Sequence, residues 1–332
     1  MAETDPSALH YRVSTSEDIP ALLDLWSQHS GWGSITAEDW RSWYELAPCG
    51  PALGVVGADD HETPRAMTVF MPCQLRVNGM DVTAVRVAAP IIHHDIRSVA
   101  MPKRNEPATE LFLEGRRFAA ERGFAVLFSL PDRRWVARVA RAGKWMPGVP
   151  RQFAVLDGVG IDVTQAGAAH ARTRAPMSRI SQFTDEYTTL WESASATYPI
   201  TCGVVRSPEW LRYKHGDDIV LEARDHNGEL RGFVAISAKT GAITNMLSAG
   251  RDDLPDVLSG AVAWMATAVA SGDSTIPQRV SAVVVPGTVA AMRAAGFTPI
   301  DFRFGFVADT LDETVVPLSA IDPASWYLTA GD

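Results

Sequence analysis

Side chains able to move a proton gather at one place in this sequence. His93, His94 and Asp95 follow directly on the run Val82–Ile92, which is rich in β-branched residues and reads as a central, buried strand. A neutral imidazole accepts a proton near pH 7, so either histidine suits general-base work at the strand's end. The alternative is that one ring packs inward and the other faces water. Neighbours on a strand point to opposite faces, so the pair is not expected to share a metal, and no metal is expected. Just downstream, Arg97, Lys103 and Arg104 are positioned to meet an anion as side chains, or to be a solvated surface loop.

Other residues fit chemistry less well. Cys73 would be a nucleophile only beside a base, and reads better as a small buried residue. Trp32, Trp40, Trp43 and Tyr44 cluster early in the chain and suit the wall of an apolar or aromatic pocket, or ordinary helix packing. Ser129 and Asp132 flank the end of a second apolar run, where Asp132 also suits a helix cap. There is no nucleotide-binding glycine loop, zinc-ligand spacing or serine-hydrolase elbow.

The whole chain bounds these options. Its 332 residues suggest two domains, and 46% hydrophobic with 21% charged residues is an ordinary globular balance. A net charge of −9 disfavours nucleic acid as a partner. Cys49, Cys73 and Cys202 are scattered and odd in number, which points to a reducing setting. The start, Met-Ala-Glu-Thr-Asp, lacks the features of a signal peptide, and the apolar run Leu254–Ser271 is short with acids crowding its start. A cytoplasmic protein without a membrane span is expected.

The elements that must position the site come in two similar series. In the first half, Leu9–Val13 reads as a strand and Ser16–His29 and Thr36–Leu46 as helices. Ala52–Gly57 and Arg65–Val77 read as strands, and Asn78-Gly79 as a hairpin turn into Val82–Ile92. Pro107–Arg122 is a helix closed by Gly123, Phe124–Leu130 a strand, Asp132–Ala142 a helix and Arg151–Leu156 a strand. The second half repeats this order. Ile180–Ala196 and Pro208–Tyr213 read as helices, Ile219–Arg224 with Leu230–Ala238 as a hairpin, and Ala242–Leu247 as a strand. Leu254–Ser271 is a helix, Arg279–Val285 a strand, Thr288–Ala295 a helix and Phe302–Ala308 the closing strand. Between them, residues 157–176 are rich in Gly, Ala and Thr without apolar period. The expected division is a domain over 1–157, a linker over 158–177 and a domain over 178–332. The fold class is α/β, with a mixed, mostly antiparallel sheet flanked by helices in each domain.

Four stretches carry a family resemblance: Tyr11-Arg12-Val13-Ser14-Thr15-Ser16-Glu17-Asp18-Ile19-Pro20-Ala21-Leu22-Leu23, Val85-Arg86-Val87-Ala88-Ala89-Pro90-Ile91-Ile92-His93-His94-Asp95, Phe118-Ala119-Ala120-Glu121-Arg122-Gly123-Phe124 and Met292-Arg293-Ala294-Ala295-Gly296-Phe297. With the order of elements, they resemble the GNAT superfamily of acyltransferases in its two-copy form.

The resemblance implies an acyl-coenzyme A co-substrate, acetyl-CoA or another. Its pantetheine arm would lie along Val87, Ala88 and Ala89. Its pyrophosphate would be met at Arg97, Lys103, Arg104, Asn105 and Ala108, with His93 or His94 as the base. Trp32, Trp40, Tyr44 and Ser129 would line the acceptor site. The chain departs from the family's phosphate loop, which reads Arg/Gln-x-x-Gly-x-Gly/Ala. Here Lys103-Arg104-Asn105-Glu106-Pro107-Ala108 puts Glu106 where Gly is expected, and Pro107 has no N–H to donate. The second half opens its corresponding helix with Asp252, Asp253 and Asp256, which repel phosphate, so the donor belongs to the first half. The family's Tyr acid is replaced by Val139 and Met292. The function expected is N-acyl transfer from acyl-CoA to a small amine, in tailoring metabolism or self-resistance. The alternatives are a diverged enzyme using a carrier-protein thioester or another donor, one catalysing a different reaction, or a non-catalytic binding protein.

Overall fold

The computed structural model describes residues 9–97, 107–131, 151–170, 176–198 and 201–332. In the first half the elements are β1 (His10–Val13), α1 (Ile19–His29), α2 (Ala37–Trp40), β2 (Leu53–Ala58), β3 (Pro64–Val77), β4 (Met80–Ile92), α3 (Pro107–Glu121), β5 (Val126–Ser129) and β6 (Gln152–Asp162). The second half contributes α4 (Val163–His170), β7 (Met177–Ile180), α5 (Glu186–Thr197), β8 (Cys202–Val204), α6 (Pro208–His215), β9 (Ile219–Arg224), β10 (Leu230–Ile236) and β11 (Ile243–Ser248). It continues with α7 (Leu254–Ala270), β12 (Arg279–Val283), α8 (Val289–Ala294), β13 (Thr298–Thr310) and β14 (Trp326–Tyr327). The order from β1 to β5 returns from β7 to β12, with α5 and α6 standing for α1 and α2 and α7 for α3. The helix expected over 132–142 lies outside the described residues.

The chain forms two compact units, residues 1–75, 82–154 and 305–321 in one and 76–81, 155–304 and 322–332 in the other. In the first unit the strands run β1-β2-β3-β4-β5, and the later part of β13 pairs antiparallel with β5, Val307 opposite Ser129. The β4–β5 pair is parallel. Leu53, Val55, Phe70, Val85, Leu111 and Leu127 form the core between sheet and α3. Asp309 on β13 is 1% exposed, so its charge needs partners, and Arg116 and Arg151 supply them at 3.1 and 3.0 Å. In the second unit β7, β9, β10 and β11 form one sheet, and β12 pairs antiparallel with β6. Its core packs Leu221, Val234 and Met246 against Leu254, Leu258 and Val262 of α7.

Residues 158–170, which look like linker in sequence, run as the end of β6 and as α4. The glycines have a packing reason. A Cβ on Gly158 would lie 2.7 Å from the Phe302 carbonyl, and one on Gly160 would lie 3.1 Å from Ile300. A strand that another strand approaches this closely can carry only glycine. The second unit also buries a polar cluster. The His215 Nδ1 lies 2.9 Å from Asp218 and its Nε2 3.0 Å from the Asn245 amide, while the Thr244 hydroxyl donates to Asp218 at 2.5 Å. A catalytic triad would place the hydroxyl on the ring nitrogen opposite the carboxylate. Here hydroxyl and carboxylate share one side of the ring, so the cluster is a structural bond set. The wholly buried Arg206 extends it, donating to Asn245 and Asp332 at 2.9 and 2.8 Å.

This packing can be tested at two positions. Gly115→Ala on α3 raises helix propensity by about 1 kcal/mol. A Cβ there would stand 2.2 Å from the buried Phe70 ring, so the substitution lowers stability by about 1–3 kcal/mol in urea denaturation. Burial, against a weaker pull from Asp218, holds the His215 pKa below its ordinary 6.5. The unfolded chain therefore takes the proton first as pH falls. This share of stability is complete above pH 6.5 and is lost progressively below it. Thermal midpoints measured from pH 7 to 5 fall more steeply for the native chain than for His215→Gln.

Candidate active site at the exit of β4

The site begins where the ladder between β4 and β5 ends. Their parallel register runs through Ala84–Val126, Val85–Leu127 and Arg86–Phe128. One residue on, the Ser129 hydroxyl donates to the Val87 carbonyl at 2.9 Å, and from β3 the Thr68 hydroxyl donates to the Ala88 carbonyl at 3.0 Å. Ala89 then takes a left-handed backbone, φ 49°. A side chain in that conformation costs about 1–2 kcal/mol, and such strain concentrates where a strand must be re-aimed.

The re-aimed chain ends in a turn. β4 stops at Ile92, and His94–Ile96 form a single 3₁₀ turn with His93 before it, so the two histidines no longer alternate as strand neighbours. Their rings stack at 4.6 Å between centroids. His29, the last residue of α1, joins them, its ring 4.2 Å from that of His93 and 5.1 Å from that of His94. The expectation that adjacent histidines would point apart is therefore wrong, because the strand has already ended. Nothing local in the sequence marks His29, which reads there only as the end of a helix.

Charged groups hold the cluster. Arg97 donates through one nitrogen to the His29 carbonyl at 2.9 Å and to the Ile92 carbonyl at 3.0 Å, tying the end of α1 to the end of β4. Asp95 lies 2.7 Å from His94 Nε2 and 3.4 Å from His93 Nδ1. Arg65 stands 3.2 Å from His93 Nδ1 and pairs with Asp59 and Asp95 at 3.5 and 3.4 Å. Burial first, then the charge of Arg65, holds the His93 pKa below the ordinary range, and burial followed by His94 does the same for His29. Both are neutral at pH 7 and carry a lone pair.

The remaining expected residues divide. Val87 and Ala89 are buried and Ala88 half-buried along β4. Arg97 serves the backbone as described, so its guanidinium is engaged within the protein. Ala108 packs in the first turn of α3 against the core. Lys103, Arg104 and Asn105 lie outside the described residues. Trp40 and Tyr44, expected at an acceptor wall, are 5% and 6% exposed and stack edge to face at 4.8 Å. Helical periodicity turns them inward. Among the described residues the exposed indoles are Trp32 at 60% and Trp43 at 42%, both beside the buried Trp26. Cys73 is buried.

The corresponding strand of the second unit is closed by its own side chains. Tyr327 donates to the Met246 carbonyl at 2.6 Å and Thr197 to that of Ala249 at 2.8 Å, while Tyr198 contacts Ser248 and the Gly250 carbonyl. Burial pushes the Tyr198 hydroxyl up to about 12, so it stays protonated and donates. Asp253 at the head of α7 pairs with Arg231 at 2.8 Å.

No family model and no curated protein matches the chain. Solved structures do. A conserved protein of unknown function from Enterococcus faecalis V583, described as a probable N-acyltransferase, is 12% identical over 92% of this chain and 73% of its own, with a TM-score of 0.64. A GCN5-related N-acetyltransferase from Kribbella flavida is 16% identical over 92% and 71%, with a TM-score of 0.58. The Saccharomyces cerevisiae N-myristoyltransferase with bound myristoyl-CoA is 10% identical over 91% and 82%, with a TM-score of 0.57. At such identities the likeness is one of fold. The chain has the GNAT fold of the GCN5-related N-acetyltransferases, its order of elements present twice.

Proposed function

We propose that the protein is an N-acyltransferase that moves an acyl group from acyl-coenzyme A to a small amine, with the donor in the first unit. The carrying observation is that β4 runs on to Ile92 past its parallel pairing with β5, which ends at Arg86, with three imidazoles where β4 ends. A strand that runs on past its parallel partner to a proton acceptor is what thioester aminolysis needs. The amine must lose a proton to attack the thioester carbonyl. The C–N bond forms as the C–S bond breaks, and the thiolate leaves and is protonated. His94 is 71% exposed at its side chain, and Asp95 holds its Nε2 at 2.7 Å, the arrangement of a base with an orienting carboxylate. The imidazolium so formed returns its proton to the thiolate. That role falls to the same residue because Val139 and Met292 stand where the family's tyrosine acid would be. The exposed Trp32 and Trp43 suit an acceptor amine with an apolar or aromatic body.

A second reading has its own support. Ser129 already occupies the Val87 carbonyl, and Arg97 is engaged by backbone carbonyls. The Val87 carbonyl lies where the arm common to both donors would be held, and Arg97 where only the pyrophosphate of coenzyme A would be, so its engagement favours a diverged enzyme with a carrier-protein thioester as donor. The two readings separate by calorimetry with acetyl-coenzyme A and with an acylated carrier protein. Saturable heat with acetyl-coenzyme A is expected, and its absence alongside carrier binding turns the assignment to the second reading. With an amine acceptor in hand, His94→Ala is expected to lower kcat about 100-fold or more at unchanged donor affinity. Full turnover by that variant removes His94 as the base.

A further inference from the structure

We propose that His29, His93 and His94 form a binding site for one divalent ion of borderline softness, with zinc or cobalt as the type. The proposal stands on the three imidazoles and does not rest on acyl transfer.

One nitrogen from each of the three rings lies within 4.8 Å of the others. His94 Nδ1 and His29 Nδ1 are 3.4 Å apart. That is long for a hydrogen bond, whose usual range ends near ~3.2 Å. It matches the edge of a tetrahedron with metal–nitrogen bonds of about 2.0–2.1 Å, which is about 3.3 Å. The surroundings are those of a ligand set. An imidazole that binds a metal needs an acceptor for the N–H on its far side. Asp95 provides it for His94, 2.7 Å from Nε2, leaving His94 Nδ1 for the ion, while His93 Nδ1 accepts from the Arg65 guanidinium at 3.2 Å and from the Asp95 N–H at 3.3 Å.

The cluster is also braced. His29 and His93 come from elements far apart in sequence, and the single Arg97 nitrogen that bonds the His29 and Ile92 carbonyls fixes their spacing. Ligands held this way give up little freedom on binding. Three imidazoles leave a fourth position of a tetrahedral ion open to water or a substrate atom. An ion there takes up the lone pair of His94, so its use as ligand and as proton acceptor exclude each other.

The test uses the full chain without an affinity tag, stripped with chelator and titrated with Co²⁺ while the visible spectrum is read. One equivalent with the intense absorption of four-coordinate cobalt is expected, displaced by one equivalent of Zn²⁺. His29→Ala and the largely exposed His94→Ala should each weaken binding at least 10-fold, and Asp95→Asn about 10-fold to 100-fold. Circular dichroism of each variant checks that it is folded. Absence of saturable uptake overturns the proposal, as does uptake unchanged in folded His29→Ala or His94→Ala. Acetyl-coenzyme A titration of the same stripped protein reads the acyl-transfer assignment separately, so either can fail alone.

Discussion

The left-handed backbone at Ala89, φ 49°, lies within the strand that carries the site, and the rest of the site follows from it. Until Arg86 the strand is committed on one side to β5 by parallel pairing. A regular strand would continue that pairing and alternate its side chains into Ile92, His93 and His94. The backbone at Ala89 re-aims the strand, the alternation stops where β4 ends at Ile92, and two hydroxyls hold the carbonyls just before Ala89, Ser129 on Val87 and Thr68 on Ala88. Strain of about 1–2 kcal/mol persists only where neighbouring bonds over-determine the geometry, and these two bonds do so.

Arg97 is the second constraint. A guanidinium beside three imidazoles would ordinarily repel their protonated forms, and here it also serves as a backbone strut between α1 and β4. With Arg65 it biases His29 and His93 toward neutral rings, while Asp59 and Asp95 return charge balance. Neutral rings with lone pairs suit either proton transfer or metal ligation, and the geometry brings both within reach of the same nitrogens. The second unit differs, because Tyr327, Thr197 and Tyr198 close the matching strand with their own hydroxyls.

Much of the architecture is legible because local signals agree with the fold. Asn78-Gly79 predicts a tight hairpin, and both residues have positive φ, 49° and 81°. The apolar pattern predicts Ile219–Arg224 at its observed bounds, and the α7 run within one residue. The failures have physical causes. Gly158 and Gly160 resemble linker residues until the approach of Phe302 and Ile300 is known, which is a long-range fact. Residues 177–180 give no strand signal because four residues are too few to show a period. At the site, His93 and His94 are legible from their place after a buried strand. His29 is not, since nothing local to α1 says what packs at its end. Trp40 and Tyr44 have the right composition for a pocket, but aromatic residues at helical spacing turn inward as readily as outward.

The first unit takes residues 305–321 for its own, and its strand β5 has Val307 as the partner of Ser129. During synthesis, at about 5–20 residues per second, the ribosome needs on the order of ten to forty seconds to travel from one to the other. For that interval β5 carries an unpaired edge, and an unpaired edge accepts any strand that reaches it. The buried carboxylate of Asp309 arrives only with the late strand, so Arg116 and Arg151 wait without it. The first unit therefore cannot complete its sheet until nearly the whole chain is made, and a gene cut at the midpoint leaves that sheet without its late strand.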